Sequence, residues 1–251
     1  LFVRDSLAHC AEAAAASGAR IVHSCGFDSV PSDLGVLLLA EAARADEAGL
    51  LEDTAMVVRS MKGGISGGTI DSARAMAEAV AADRSLLGAM TDVYALSPDR
   101  ENEPDVGPSP DAAPIRRDGS VGSWVGPFVM APYNTRVVRL SNALQDHGYG
   151  RRFRYREVMA YGDDLGAPLR AAAVSAGVAA GIAAMAFGPT RALLDRVLPA
   201  PGDGPDEETR RGGSFETETR TRTSTGAAYR CVIAADGDPG YQATAVMIGE
   251  S

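Results

Sequence analysis

Lysine is almost absent. Lys62 is the single example in 251 residues, and arginine carries the rest of the positive charge. With the alanine excess, this reads as the mark of a GC-rich source genome rather than of a function. Cysteine and histidine are scarce as well. Cys10, Cys25 and Cys231 lie far apart with no Cys-x-x-Cys pair, and His9, His23 and His147 are the only imidazoles, which argues against a zinc cage. An odd number of isolated cysteines suits a reducing cytoplasm. The net charge of −9 excludes the basic footprint of a nucleic-acid binder. No secretory signal pattern precedes the first helix.

Hydrophobic residues make up 45% and charged residues 23%, a globular balance with room for one large domain or two small ones. Asp5 or Ser6 opens a helix predicted to run to Ser17, with Gly18 as its stop. A strand is predicted over 19–24, then a tight turn, then a helix over 31–44 with Pro31 in its first turn. Gly26 gives the turn freedom, and Asp28, Ser29 and Ser32 are candidates to cap the free N–H groups of that helix. Helix, strand and helix in this order read as the last part of a doubly wound α/β domain, which binds ligands at the strand tip.

A charged linker (46–53) leads to a predicted strand (54–61) and a helix (70–87). The loop between them, Lys62-Gly63-Gly64-Ile65-Ser66-Gly67-Gly68-Thr69, invites a phosphate cradle, but its lysine stands before the glycines, unlike a P-loop. It reads as a flexible connection, or, more sharply, as a cleft edge lined by Ser66 and Thr69. A long loop follows (96–122), then a strand (124–130), a helix (136–145) capped by Asn134 and Thr135, and a strand (153–161) with one solvated face. Residues 171–187 carry no charge and hold Gly177 and Gly181 in small-xxx-small spacing. Alanine gives too little hydrophobicity for an ordinary membrane span, so a buried or lipid-touching helix is expected, extended by 191–198. Thr217, Thr219, Thr221 and Thr223 alternate with charge and pair with 229–234 as a hairpin of an antiparallel sheet.

Four stretches together resemble one family. They are Gly26-Phe27-Asp28-Ser29-Val30-Pro31-Ser32-Asp33-Leu34, then Ser66-Gly67-Gly68-Thr69, then the run from Gly126 through Pro132-Tyr133-Asn134-Thr135-Arg136 to Val138, and last Asp238-Pro239-Gly240-Tyr241. In order and spacing they are similar to the saccharopine dehydrogenase-like oxidoreductases, and within these to the actinobacterial trans-acting enoyl reductases. The resemblance spans most of the chain. It implies an α/β fold in which residues 1–45 are the end of a Rossmann-like doubly wound nucleotide-binding domain. Residues 46–251 would then be an α+β substrate-binding and dimerisation domain with an antiparallel sheet. Leu1 is not a methionine, and the sequence is read as a piece of a longer protein whose Gly-rich nucleotide-binding unit lies upstream; the piece alone is expected to be inactive.

The resemblance also implies hydride transfer from NADPH, with the nicotinamide near Cys25, Gly26 and Phe27, and Asp28 and Ser29 holding the turn or the amide end. Reduction of an enoyl thioester needs a hydride at one carbon and a proton at its neighbour. Tyr133 is the candidate proton donor. Asn134 and Arg136 are candidates to hold the thioester oxygen or a phosphopantetheine phosphate. The bland readings are an anchor for Tyr133, a cap for Asn134 and a surface charge for Arg136. The expected substrate is a carrier- or CoA-bound lipid intermediate, with an acyl carrier or polyketide synthase as partner. A homodimer, a cytoplasmic location and a peripheral lipid contact are further expectations. Two alternatives stand beside this: the same fold reducing an imine or amino acid derivative of the saccharopine type, and a non-catalytic, lipid-associated binding or dimerisation module.

Overall fold

The computed structural model describes residues 2–64, 67–107, 111, 113–186, 190 and 202–251. Ser66 and the expected helical extension over 191–198 lie outside the described residues. Helix α1 (Phe2–Ser17) ends at Gly18, whose φ of +75° is the left-handed stop that its position suggested. Residues 19–24 do not form the expected strand. The described sheet places no strand beside them to receive their N–H and C=O groups, and Ile21 and Val22 stay exposed.

Helix α2 (Val30–Ala45) carries Pro31 in its first turn and buries Val36, Leu39, Ala40 and Ala43. These join the main core with residues of β1 (Leu51–Lys62), α5 (Ala131–Leu144) and β4 (Arg154–Ala160). Between β1 and α5 lie α3 (Gly67–Ala82), the short α4 (Leu86–Thr91), β2 (Arg116–Asp118) and β3 (Ser123–Pro127). The single helix expected over 70–87 is broken because the Asp83 side chain accepts the Ser85 N–H, an alternative to continuing the helical ladder. The expected helix 136–145 starts earlier, at Ala131, since Pro132 fits a first turn where no N–H is needed.

After α6 (Ala167–Ala186) and α7 (Glu207–Arg211) the chain forms the hairpin β5 (Ser214–Thr223) and β6 (Ala228–Asp236), much as its alternation predicts. A wide turn, Pro239–Ala243, then leads into α8 (Thr244–Glu250). The six described strands lie in the order β2-β3-β4-β1-β5-β6. β1 and β4 are parallel at the centre, and the other neighbours are antiparallel. The fold class is α/β. Period-2 alternation sends Met56, Val58 and Tyr155 to the face under α2 and α5, and Val57 and Val158 to a second cluster with Val125 on the other face.

The glycine loop after β1 serves close packing. Asp238, fully buried, accepts the Gly64 N–H at 2.5 Å and the Tyr241 N–H at 2.9 Å. A Cβ at Gly63 would stand 2.1 Å from the Asp238 carboxylate, so only glycine lets the loop approach it. Helix α6 is built differently from the rest: its stretch Ala167–Met185 is long and apolar enough to cross a membrane, and 6% of its most apolar window is buried.

Candidate functional site

The turn from Ser24 to Ser29 is held at both ends by two consecutive residues of α5. Ser24 has a φ of +65°, a left-handed conformation costly for a residue with a Cβ, and such strain concentrates at functional sites. Its hydroxyl lies 2.7 Å from the hydroxyl of Tyr133, which is 38% exposed. At the other end, the Ser29 hydroxyl donates to Asn134 Oδ1 at 3.3 Å. Ser29 therefore does not cap α2 with its side chain; the Ser29 and Val30 N–H groups donate to the Gly26 carbonyl instead.

Below the turn, α8 and β5 pin it from inside. The Phe27 N–H donates to Thr244 Oγ1 at 3.0 Å, and a Cβ at Gly26 would meet Thr244 Cγ2 at 3.2 Å. Phe27, expected beside a ligand ring, packs edge-on against Phe215 with centroids 4.7 Å apart, in a small core with Ala243. Cys25 is partly buried and its thiol reaches the Val22 carbonyl, while Asp28 is exposed. Ser24, Cys25, Gly26 and Asp28 thus keep outward surface, while Phe27 and Ser29 are buried.

Sequence reasoning missed Glu157. It is fully buried, and its carboxylate accepts from Asn134 Nδ2 at 3.0 Å and from the Tyr155 hydroxyl at 2.9 Å. Burial pushes its pKa up to about 7, with hydrogen bonds from Ser32, Asn134 and Tyr155 opposing the rise. The signal was available: Tyr155 and Glu157 are two apart on one strand, so a buried tyrosine puts the glutamate on the same face. Asn134 is hence neither a cap nor a surface ligand-holder. It is a bridge from Glu157 to the turn.

Arg136 is likewise turned inward. Its guanidinium is paired with Asp111 at 2.8 Å and donates to the carbonyls of Asp92, Met90 and Pro132. Arg139 shares Asp111 at 3.1 Å. These contacts engage the Arg136 guanidinium on its inner side, while the residue also lines a groove. Thr69 is exposed on the first turn of α3. The loop before it also spells Gly-x-Ser-x-Gly over 64–68, the letters of a hydrolase elbow. An elbow serine works with a histidine, and Ser66 lies outside the described residues.

Two cavities flank the Ser24–Tyr133 contact. One, of about 190 Å³, is lined by Val22, His23, Ser24 and Cys25 on one side and by Asp33 and Leu34 of α2 on the other. Asp33 Oδ1 is buried without a hydrogen-bond partner among the described residues, and burial raises the Asp33 pKa against a smaller lowering by Ser141. The second, of about 200 Å³, is an apolar groove that includes Met76, Leu96, Pro132 and Tyr133. Ser24 faces the first cavity, Tyr133 the second, and their hydroxyls touch. That arrangement can present a ring on one side and a chain on the other, with a proton-bearing group between.

Among curated proteins, a Mycobacterium tuberculosis relative provisionally named a trans-acting enoyl reductase is 48% identical over 263 residues, covering all of this chain and 61% of the relative. The trans-acting enoyl reductase of Mycobacterium ulcerans is 43% identical over 261 residues, again covering the whole chain and 62% of the relative. That of Mycobacterium bovis is 42% identical, with the same coverage. The chain is a homologue of proteins named trans-acting enoyl reductases. It spans about 61% of the length of the curated relatives it matches. No protein-family model matches the chain, and no solved structure matches it.

Proposed function

We propose that the protein to which this chain belongs is an NADPH-dependent enoyl reductase of the saccharopine dehydrogenase-like kind, acting on a carrier- or CoA-bound acyl thioester. The observation that carries this reading is the Ser24–Tyr133 hydroxyl pair at 2.7 Å, with one cavity on each side. The relatives' name supports the reaction, and the word trans-acting supports a polyketide synthase as the partner that supplies the substrate.

A nicotinamide fits the residues of the first cavity. Ser24 and Cys25 give that cavity a polar edge, with Asp33 on the opposite wall. When bound there, the cofactor supplies the hydride. The rest belongs to the chain. Tyr133 donates a hydrogen bond to the thioester carbonyl or a proton to the neighbouring carbon, and Ser24 holds the phenol in place. Asn134, through Glu157 and Ser29, keeps the turn at a fixed distance from α5.

The test is NADPH oxidation by the full-length protein with a trans-2-enoyl thioester and, in parallel, with a saccharopine-type imine. Turnover of the thioester with a saturated product supports the reading. Turnover of the imine alone would replace it with an amino acid reductase on the same fold. A lipid-associated module is a second reading, favoured by the exposed apolar residues Val174, Val178 and Ile182 of α6.

A further inference from the structure

The groove beside Tyr133 is assembled from five separate pieces of chain. Val3 and Arg4 come from α1, Met76 from α3, Met90 from α4, Ala95 and Leu96 from the following loop, and Pro132, Tyr133 and Arg136 from α5. Val3 and Leu96 are buried, so the floor is apolar. Its charged lining has one sign. Arg4 and Arg136 are the charged residues on the wall, in a chain whose net charge is −9. Arg136 is committed to Asp111, whereas Arg4 is exposed and stands 3.6 Å from an even more exposed Asp5, a weak surface pair. Methionine at two wall positions gives a surface that adapts to flexible apolar ligands.

We propose that this groove is the binding site for the aliphatic chain of an acyl ligand, with Arg4 at the rim facing an anionic or carbonyl end. An apolar floor, an exposed arginine at the rim and no carboxylate among the described lining residues match a chain with an acidic or polar head, and mismatch a cationic or sugar-like ligand. The inference rests on the reductase reading for its orientation, with the reacting carbons at the Tyr133 end. The binding site itself does not need catalysis.

The test uses saturated probes, which no reductase can consume. Dodecanoate and dodecanol are titrated calorimetrically into the full-length protein and into three variants: Ala95→Trp and Met76→Trp, which fill the groove, and Arg4→Glu, which reverses the rim on an exposed helix face. The wild type should bind dodecanoate with a negative heat-capacity change, the mark of apolar burial. Each tryptophan should weaken both probes by roughly tenfold or more, and Arg4→Glu should weaken dodecanoate selectively, by roughly threefold or more. No dodecanoate binding to the wild type, or equal binding by folded Ala95→Trp and Met76→Trp, would overturn the proposal. The reductase reading fails separately: absent NADPH oxidation with intact, tryptophan-sensitive dodecanoate binding removes the activity and keeps the groove.

Discussion

Ser24 and Tyr133 are 109 positions apart in the chain, yet their hydroxyl oxygens are 2.7 Å apart in space. The contact joins a strained turn to the first turn of α5, and it stands where two cavities approach each other.

The strain at Ser24 is separable from its hydroxyl. Ser24→Gly relieves the left-handed conformation and Ser24→Ala does not, so the glycine variant should be the more stable of the two by about 1 kcal/mol. Both lose the contact with Tyr133. Turnover should therefore fall in both, by a similar factor, when denaturation midpoints and enoyl-thioester rates are compared.

Glu157 gives stability a pH dependence of known sign. Its folded pKa is raised from 4.5 to about 7, so the folded state holds the proton more tightly than the unfolded chain does. The stabilisation is fully present below the unfolded value and is lost as pH rises through about 7. The total lost is at most about 3 kcal/mol. Glu157→Gln should flatten stability between pH 4.5 and 7, measured by urea unfolding at several pH values. A slope unchanged by the substitution would assign the titration to another group.

Asp111 neutralises two arginines at once. Arg136 and Arg139 have side chains 8% and 5% exposed, so Asp111→Ala removes a carboxylate that two nearly buried guanidiniums share. The expected loss is about 3 kcal/mol, read as a lowered denaturation midpoint.

Asp238 serves two backbone donors, and its substitutions should follow the number of acceptors left. Asp238→Asn keeps one side-chain oxygen for Gly64 and Tyr241, and Asp238→Ala keeps none. Stability should fall in that order, with about 2 kcal/mol lost for alanine.

The elements with strong periodic signals were legible in the sequence. The threonine alternation of β5, the proline-led start of α2 and the glycine stop of α1 all stand as the residues suggest. The strand over 19–24 was not, because β structure depends on a neighbour and apolar residues alone do not supply one. Tyr133 was picked out by its place beside Asn134 in a strand-to-helix turn, but its partner Ser24 was not, since contact across 109 positions leaves no local trace. Asn134 and Arg136 were assigned to the substrate because polar residues near a turn look available. Their burial follows from the early start of α5, which places Asn134 over Glu157 and Arg136 over Asp111.

The most direct measurement is the rate of NADPH-dependent reduction of a trans-2-enoyl thioester by the full-length protein and by Tyr133→Phe. Phenylalanine keeps the ring and removes the hydroxyl that meets Ser24 beside the apolar groove, so folding should be nearly unchanged. The expected result is a kcat lower by roughly 10²-fold, the usual contribution of a positioned proton donor. An unchanged kcat in Tyr133→Phe would contradict the role given to the Ser24–Tyr133 pair.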